Sequence, residues 1–239
     1  MRSVLICASI TVSVFLCSAI NLDAPSQQNQ PPVVKIIAPK ANGAFEWDSQ
    51  VNYQISVSDK EDGDSKYDEI NAMEVLLEVR YTGKAGMPAI LNKTVQPDAP
   101  GLAVMRTSNC FNCHNFNAKS IGPSFHDISS KYPATATNIE LMVKHIKEGS
   151  AGIWGKVSMP THPELTTEET RNTVKWLLKN STDPDVNYYT GTAGSFRTRV
   201  PVTNKKGIYI ITASYTDHGL KSNGANRLKG QDVVILTSR

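Results

Sequence analysis

Very little separates the two signs of charge in this chain: 25 Lys and Arg stand against 22 Asp and Glu over 239 residues, a net charge of +3. So small an excess excludes a nucleic-acid binder and a protein steered to membranes by charge. No apolar run reaches the roughly 20 residues that a membrane-spanning helix needs. With 40% hydrophobic and 20% charged residues, long disorder, collagen and coiled coil are excluded as well. Cysteine is scarce, at positions 7, 17, 110 and 113, which is too few for a disulfide scaffold.

Two of those cysteines fall in the first residues. Met1, Arg2 and Ser3 precede a short apolar run from Val4 to Leu16 that ends in Cys17-Ser18-Ala19. A basic start, a short apolar core and small residues before polar sequence describe a secretory signal peptide. Residues 1–19 are therefore expected to be removed after Ala19, leaving an exported, periplasmic chain. Lipidation of Cys17 is the competing reading, against which Leu16 stands where lipoprotein signals place a small residue. Membrane attachment is expected only through that lipid.

The exported chain keeps Cys110 and Cys113. With Phe111, Asn112 and His114 they spell C-x-x-C-H, the pattern of covalent haem c attachment. Each thiol adds to one vinyl group, and the two vinyls lie on adjacent edges of the ring. Cysteines three apart on a helical turn reach both, and the next residue, His114, then ligates the iron. A zinc site would need a second Cys pair, and a thioredoxin-like redox pair a βαβ context. For the sixth ligand, Met159 lies 45 residues after His114 in a Pro-flanked loop, Gly155 to Pro160. Met142 is a rival, but Ile139, Met142, Val143 and Ile146 share a helical face, so Met142 reads as core. His126, His145 and His162 are ligands in principle and read as surface or packing residues. A His/Met pair leaves no open iron site, which suits electron transfer.

Residues 100–181 resemble a small bacterial class I cytochrome c, with two Cys, His, Pro and Met in the family's order and at similar spacings. The resemblance implies one all-α haem domain that transfers electrons and does no bond chemistry. It implies that the Pro123 carbonyl, in Ile121-Gly122-Pro123, accepts the His114 N–H. It also sets Trp154 near a haem propionate, beside the plainer reading of Trp154 as core. In the family the last helix crosses the first, so Trp176 or Leu177 should meet Leu102 or Met105. Thr166 and Glu169 form a capping box at the start of that helix.

The flanks are different material. Short β-branched and aromatic runs occur at 33–37, 51–57 and 74–81, then at 198–202, 207–215 and 232–236. Each flank has too few strands to stand alone. The fold class expected is two-domain α plus β: a cytochrome c domain at 98–184 inserted into an Ig-like β-sandwich built from 31–97 and 187–239. Ser56-Val57-Ser58-Asp59 with the later Gly-Ile-Tyr-Ile strand is similar to polycystic-kidney-disease-type Ig-like domains. The acidic loop Asp59 to Asp64 reads as a solvated turn, with calcium as the alternative.

The function expected is electron transfer between a periplasmic dehydrogenase and a respiratory acceptor. The joined arrangement resembles haem domains of quinoprotein sugar dehydrogenases, which makes such an enzyme, as a separate protein, the expected redox partner. Two other readings stay open. One is a haem enzyme or a gas or peroxide sensor, if Met159 is not bound. The other is an Ig-like docking module, for which Trp47 is the residue to inspect.

Overall fold

Alternation along the strands decides where the first core sits. In strand β3 (Gln50–Asp59), Tyr53, Ile55 and Val57 are buried while Asn52, Gln54 and Ser58 face water. The computed structural model describes residues 28–83, 95–200, 207–220 and 226–238, so the expected signal peptide and Cys17 lie outside the described residues. Around β3 lie β1 (Val33–Ala38), β4 (Gly63–Asp64) and β7 (Ala193–Arg197), forming one sheet. A second sheet has the order β2-β9-β8-β5-β6, with β2 at Gly43–Phe45, β5 at Leu76–Gly83, β6 at Val186–Thr190, β8 at Gly207–Thr216 and β9 at Lys229–Ser238. Both sheets draw strands from both flanks: Gln50 of β3 pairs with Arg197 of β7, and Arg80 of β5 with Val186 of β6. Inward residues of the two sheets, among them Val57, Leu77, Ile211 and Tyr215, make one buried cluster.

Four helices lie between the flanks: α1 (Pro100–Thr107), α2 (Phe125–Lys131), α3 (Ala136–Glu148) and α4 (Thr167–Asn180). The α4 capping box is formed in both directions, Thr166 Oγ1 accepting from the Glu169 N–H and the Glu169 carboxylate from the Thr166 N–H. Helices α1 and α4 approach closely because Gly101 has no side chain; a Cβ there would lie 2.3 Å from the Asn172 carbonyl oxygen. Leu102 and Met105 share a buried cluster with Leu177, and Trp176 packs against it.

That helical cluster also takes in Leu76, Val186 and Tyr188 from the second sheet. Their chain neighbours Leu77 and Tyr189 serve the core between the sheets. Successive strand side chains point to opposite faces. The second sheet is therefore, along β5 and β6, a wall shared by two cores, and β8, central in it, is buried along nearly all its length.

The expected strand at 198–202 is corrected. β7 ends at Arg197, and Thr198 leaves the ladder to bond the 46–49 turn, its hydroxyl donating to the Glu46 carbonyl at 2.6 Å and its N–H to the Ser49 carbonyl at 2.9 Å. Residues 201 and 202 lie outside the described residues. Strand β5 starts at Leu76 because Ala72–Glu74 form a 3₁₀ turn capped by the Asn71 side chain. Trp47 does not line an open cleft. It is half-buried, edge-on to Phe45 at 4.9 Å and to Tyr81 at 5.6 Å, so the residue singled out for docking belongs to the core. In the acidic loop, Asp59 accepts from the N–H groups of Glu61 and Asp62, and Asp62 from the Tyr215 hydroxyl at 2.8 Å. Among the described residues, no group of three or more His, Cys, Asp or Glu is arranged to hold a metal ion. No helix among them is long and apolar enough to cross a membrane.

Candidate haem site

Helix α1 delivers the chain to a left-handed residue, Asn109 (φ 56°), and then to a 3₁₀ turn at Cys110–Asn112. The turn is closed by Cys113 N–H and His114 N–H, both donating to the Cys110 carbonyl. Neither cysteine is in a disulfide. Burial pushes the Cys110 thiol up to about 11, so it is a neutral thiol at pH 7.

Three contacts fix the His114 imidazole. Its Nδ1–H donates to the Pro123 carbonyl at 2.7 Å. Its face stacks on Phe125, ring centroids 5.3 Å apart at 19°. Its edge occupies the space a Cβ at Gly122 would take, 2.4 Å from Cε1. With Nδ1 committed, Nε2 is the free nitrogen. Burial lowers the His114 pKa and the Pro123 hydrogen bond only partly offsets this, so the ring is held neutral as a metal ligand must be.

Gly122→Ala should push the ring off its acceptor. The expected cost is about 1–3 kcal/mol, as for other overpacked sites. It would be read as a lower thermal midpoint together with a shifted His114 Nδ1–H resonance. An unchanged resonance would contradict this geometry.

Met159 lies in the loop that follows α3. A short antiparallel bridge ties its loop to the end of α3: Met159 N–H donates to the Ser150 carbonyl at 2.8 Å, and Ser150 N–H returns to the Met159 carbonyl at 3.2 Å. Gly149 permits the approach with φ +79°, since a Cβ there would lie 2.9 Å from the Met159 oxygen. Trp154 is half-buried in the same loop, with the Lys131 ammonium 4.6 Å over its ring.

A cavity of about 550 Å³ joins these groups, lined by Cys110, Cys113, His114, Pro123, Trp154 and Met159. All six expected site residues are brought together. Met142, His145 and His162 also border it, whereas His126 is exposed on the surface and bonds the Ser181 carbonyl. Met142 is at the same time buried in the helical core, and His162 is held by Glu164 at 2.8 Å. The donor set fits an iron porphyrin: two thiols one helical turn apart, an imidazole with Nε2 free, a thioether, and an apolar cavity of ordinary cofactor size. Sequence reasoning missed the roles of Phe125, Gly122 and the Gly149–Ser150 anchor. The Ile121-Gly122-Pro123 string was the available signal for the second; nothing local marked Phe125.

Comparison with known proteins bears on the same segment. The family described as cytochrome c matches residues 99–181. Cytochrome c-551 of Ectopseudomonas mendocina is 34% identical over 80 residues, covering 34% of this chain and 96% of that protein. Cytochrome c-552 of Hydrogenobacter thermophilus is 32% identical over 73 residues, covering 30% of this chain and 74% of that protein. The crystal structure of wild-type Nitrosomonas europaea cytochrome c552 is similar with 28% identity and a TM-score of 0.31, covering 33% of this chain and 96% of that one.

Proposed function

Because the chain belongs to the cytochrome c family, we propose that it is an exported carrier that passes single electrons between a separate dehydrogenase and a respiratory acceptor. Its class I cytochrome segment carries covalently bound haem c. When bound, that group supplies a one-electron ferric/ferrous couple. In this reading Cys110 and Cys113 would anchor it, and His114 and Met159 would supply the ligands to its iron. Pro123 fixes the His114 tautomer, and Trp154 stands beside a propionate. The observation that carries the reading is the His114 to Pro123 hydrogen bond, which leaves Nε2 free on a residue that borders the same cavity as Met159.

The cavity rim supports docking of a redox partner. Ile121 and Val157 are 56% and 64% exposed at its mouth, and Lys119 and Lys156 border the same opening. An apolar patch set among lysines suits a partner with acidic groups around its own electron port. A quinoprotein sugar dehydrogenase is the proposed donor. Stopped-flow mixing of the reduced or oxidised protein with candidate donors and acceptors tests this. Rapid oxidation and reduction that slow with added salt are expected, and inertness toward every periplasmic donor would sink the reading.

The proposal includes the split architecture, an Ig-like sandwich carrying the cytochrome segment as an insert. It is supported by the strand pairs that join the two flanks, such as Gln50 with Arg197. Residues 28–97 alone would leave β5 without β6 and β8, with unpaired edges and bare apolar faces. That fragment is expected to give a poorly dispersed amide NMR spectrum, and joining it through a short Gly/Ser linker to 185–239 should restore dispersion. A well-dispersed spectrum from 28–97 by itself would refute the insertion.

A further inference from the structure

Helix α1 reaches the haem motif with a buried charge on its outer side. Arg106 stands between Met105 and Thr107, both of which border the haem cavity. Its side chain is only 6% exposed. Arg106 Nε lies 2.8 Å from Asp98 Oδ2, whose side chain is 7% exposed. The other Asp98 oxygen takes Lys229 Nζ at 2.6 Å. Arg106 also donates to Ser214 Oγ of β8 at 2.6 Å and to the Glu74 carbonyl at 3.4 Å, and Lys229 to the Gln96 carbonyl at 2.8 Å. The cluster therefore holds two cations and one anion. Ser214 and the Glu74 turn cover Arg106, while Lys229 stands at the edge with 16% of its side chain exposed.

Surface ion pairs are screened and worth little. A cluster with unequal charge in a dry setting is different. With Arg106 and Asp98 buried, its excess cation is screened less than a surface charge would be. A positive charge beside an iron that gains an electron favours the ferrous form. The β-strand region, on this view, does more than carry the haem segment.

We propose that the buried Arg106–Asp98 pair and the partly exposed Lys229 form a triad of net charge +1 that raises the reduction potential of the adjacent haem, making the three positioning residues for the couple and making the sheet a source of their insulation. This rests on the carrier reading, since it concerns the couple that the carrier uses.

The test is spectroelectrochemical titration of the full-length holoprotein at pH 7, at low and at high ionic strength. Wild type should give one reversible one-electron couple; its absence would overturn the carrier reading and this proposal together. Lys229→Met removes a cation and leaves the Arg106–Asp98 pair. It should lower the midpoint, shifting the ferrous-to-ferric ratio severalfold against a fixed donor couple. Asp98→Asn leaves two cations and should move the midpoint the other way. Arg106→Lys should keep the wild-type value where Arg106→Met lowers it. The shifts should persist at high salt. A merely structural role would not give opposite signs for Lys229→Met and Asp98→Asn. A same-sign shift in those two variants, or an unmoved midpoint in either, overturns the triad while leaving the carrier reading standing.

Discussion

A protein with both Cys110→Ser and Cys113→Ser should show no haem stain on a denaturing gel, and its helical segment should lose its fold. Without thioethers nothing covalent retains the ring, so acid-acetone extraction would strip any haem still associated. The second effect is energetic. The cavity of about 550 Å³ lies at the centre of the helical cluster. Without haem the apolar lining, Phe125, Ile128, Met142 and Leu177 among it, would be left facing solvent through the open mouth, and the helices would lose what they pack around. Helices α1 to α4 cannot bear that and should be lost from the far-ultraviolet circular dichroism signal. Cys113→Ser alone leaves one thioether and should weaken the stain. A double variant that keeps the wild-type helical signal would mean that the haem is not the core of this segment, and retained stain would mean another attachment.

Met159→Ala has the second-largest expected effect. In the wild type a His/Met pair should give low-spin, six-coordinate iron with the weak far-red sulfur-to-iron band of the oxidised form. Removing the thioether should abolish that band and admit cyanide and carbon monoxide, which the wild type should bind poorly. The loop itself should survive, because backbone groups pin Ser150 to Met159 and the side chain takes no part in that bridge. The effect is thus on iron and not on folding. Met142→Ala is the control. Met142 also borders the cavity, and its truncation should lower stability by about 2–5 kcal/mol without touching the band. The reverse outcome would transfer the ligand role to Met142.

The readable part of this molecule was chemistry compressed into short strings. Cys110 to His114 is contiguous, and Pro123 and Met159 follow in an order that little else produces. The Thr166–Glu169 capping box is equally local, both partners lying within one turn. What stayed hidden depends on distant partners. Strand β2 is three residues long and exists because Gly43 to Phe45 find β9 in parallel register near the other end of the chain. Strands β6 and β7 follow the last helix so closely that Val186 to Arg197 read as connection and not as ladder. Trp47 looked like a surface aromatic because nothing local shows Tyr81 and Tyr209 arriving beside it. Nothing local marks Arg106 as buried, since Ser214, to which it donates, lies more than a hundred positions away.

The neighbouring strands β5 and β6 carry a consequence for the rate of folding. Arg80 pairs with Val186, although more than a hundred residues run between them. Pairings so distant in sequence form slowly, because the intervening chain must first be brought round on itself. A helical segment that packs around its haem early holds Asp98 and Asp183 in place, and the remaining loop is about a fifth as long. On the logarithmic scaling of loop entropy that lowers the closure cost by about 1.4 kcal/mol, a factor of roughly ten in rate. The order of haem attachment and sheet closure then becomes a kinetic variable. In refolding followed by hydrogen exchange at β8, the haem-bearing chain is expected to protect its amides well before the haem-free one, and equal rates would show that the sheets close without waiting for the helices.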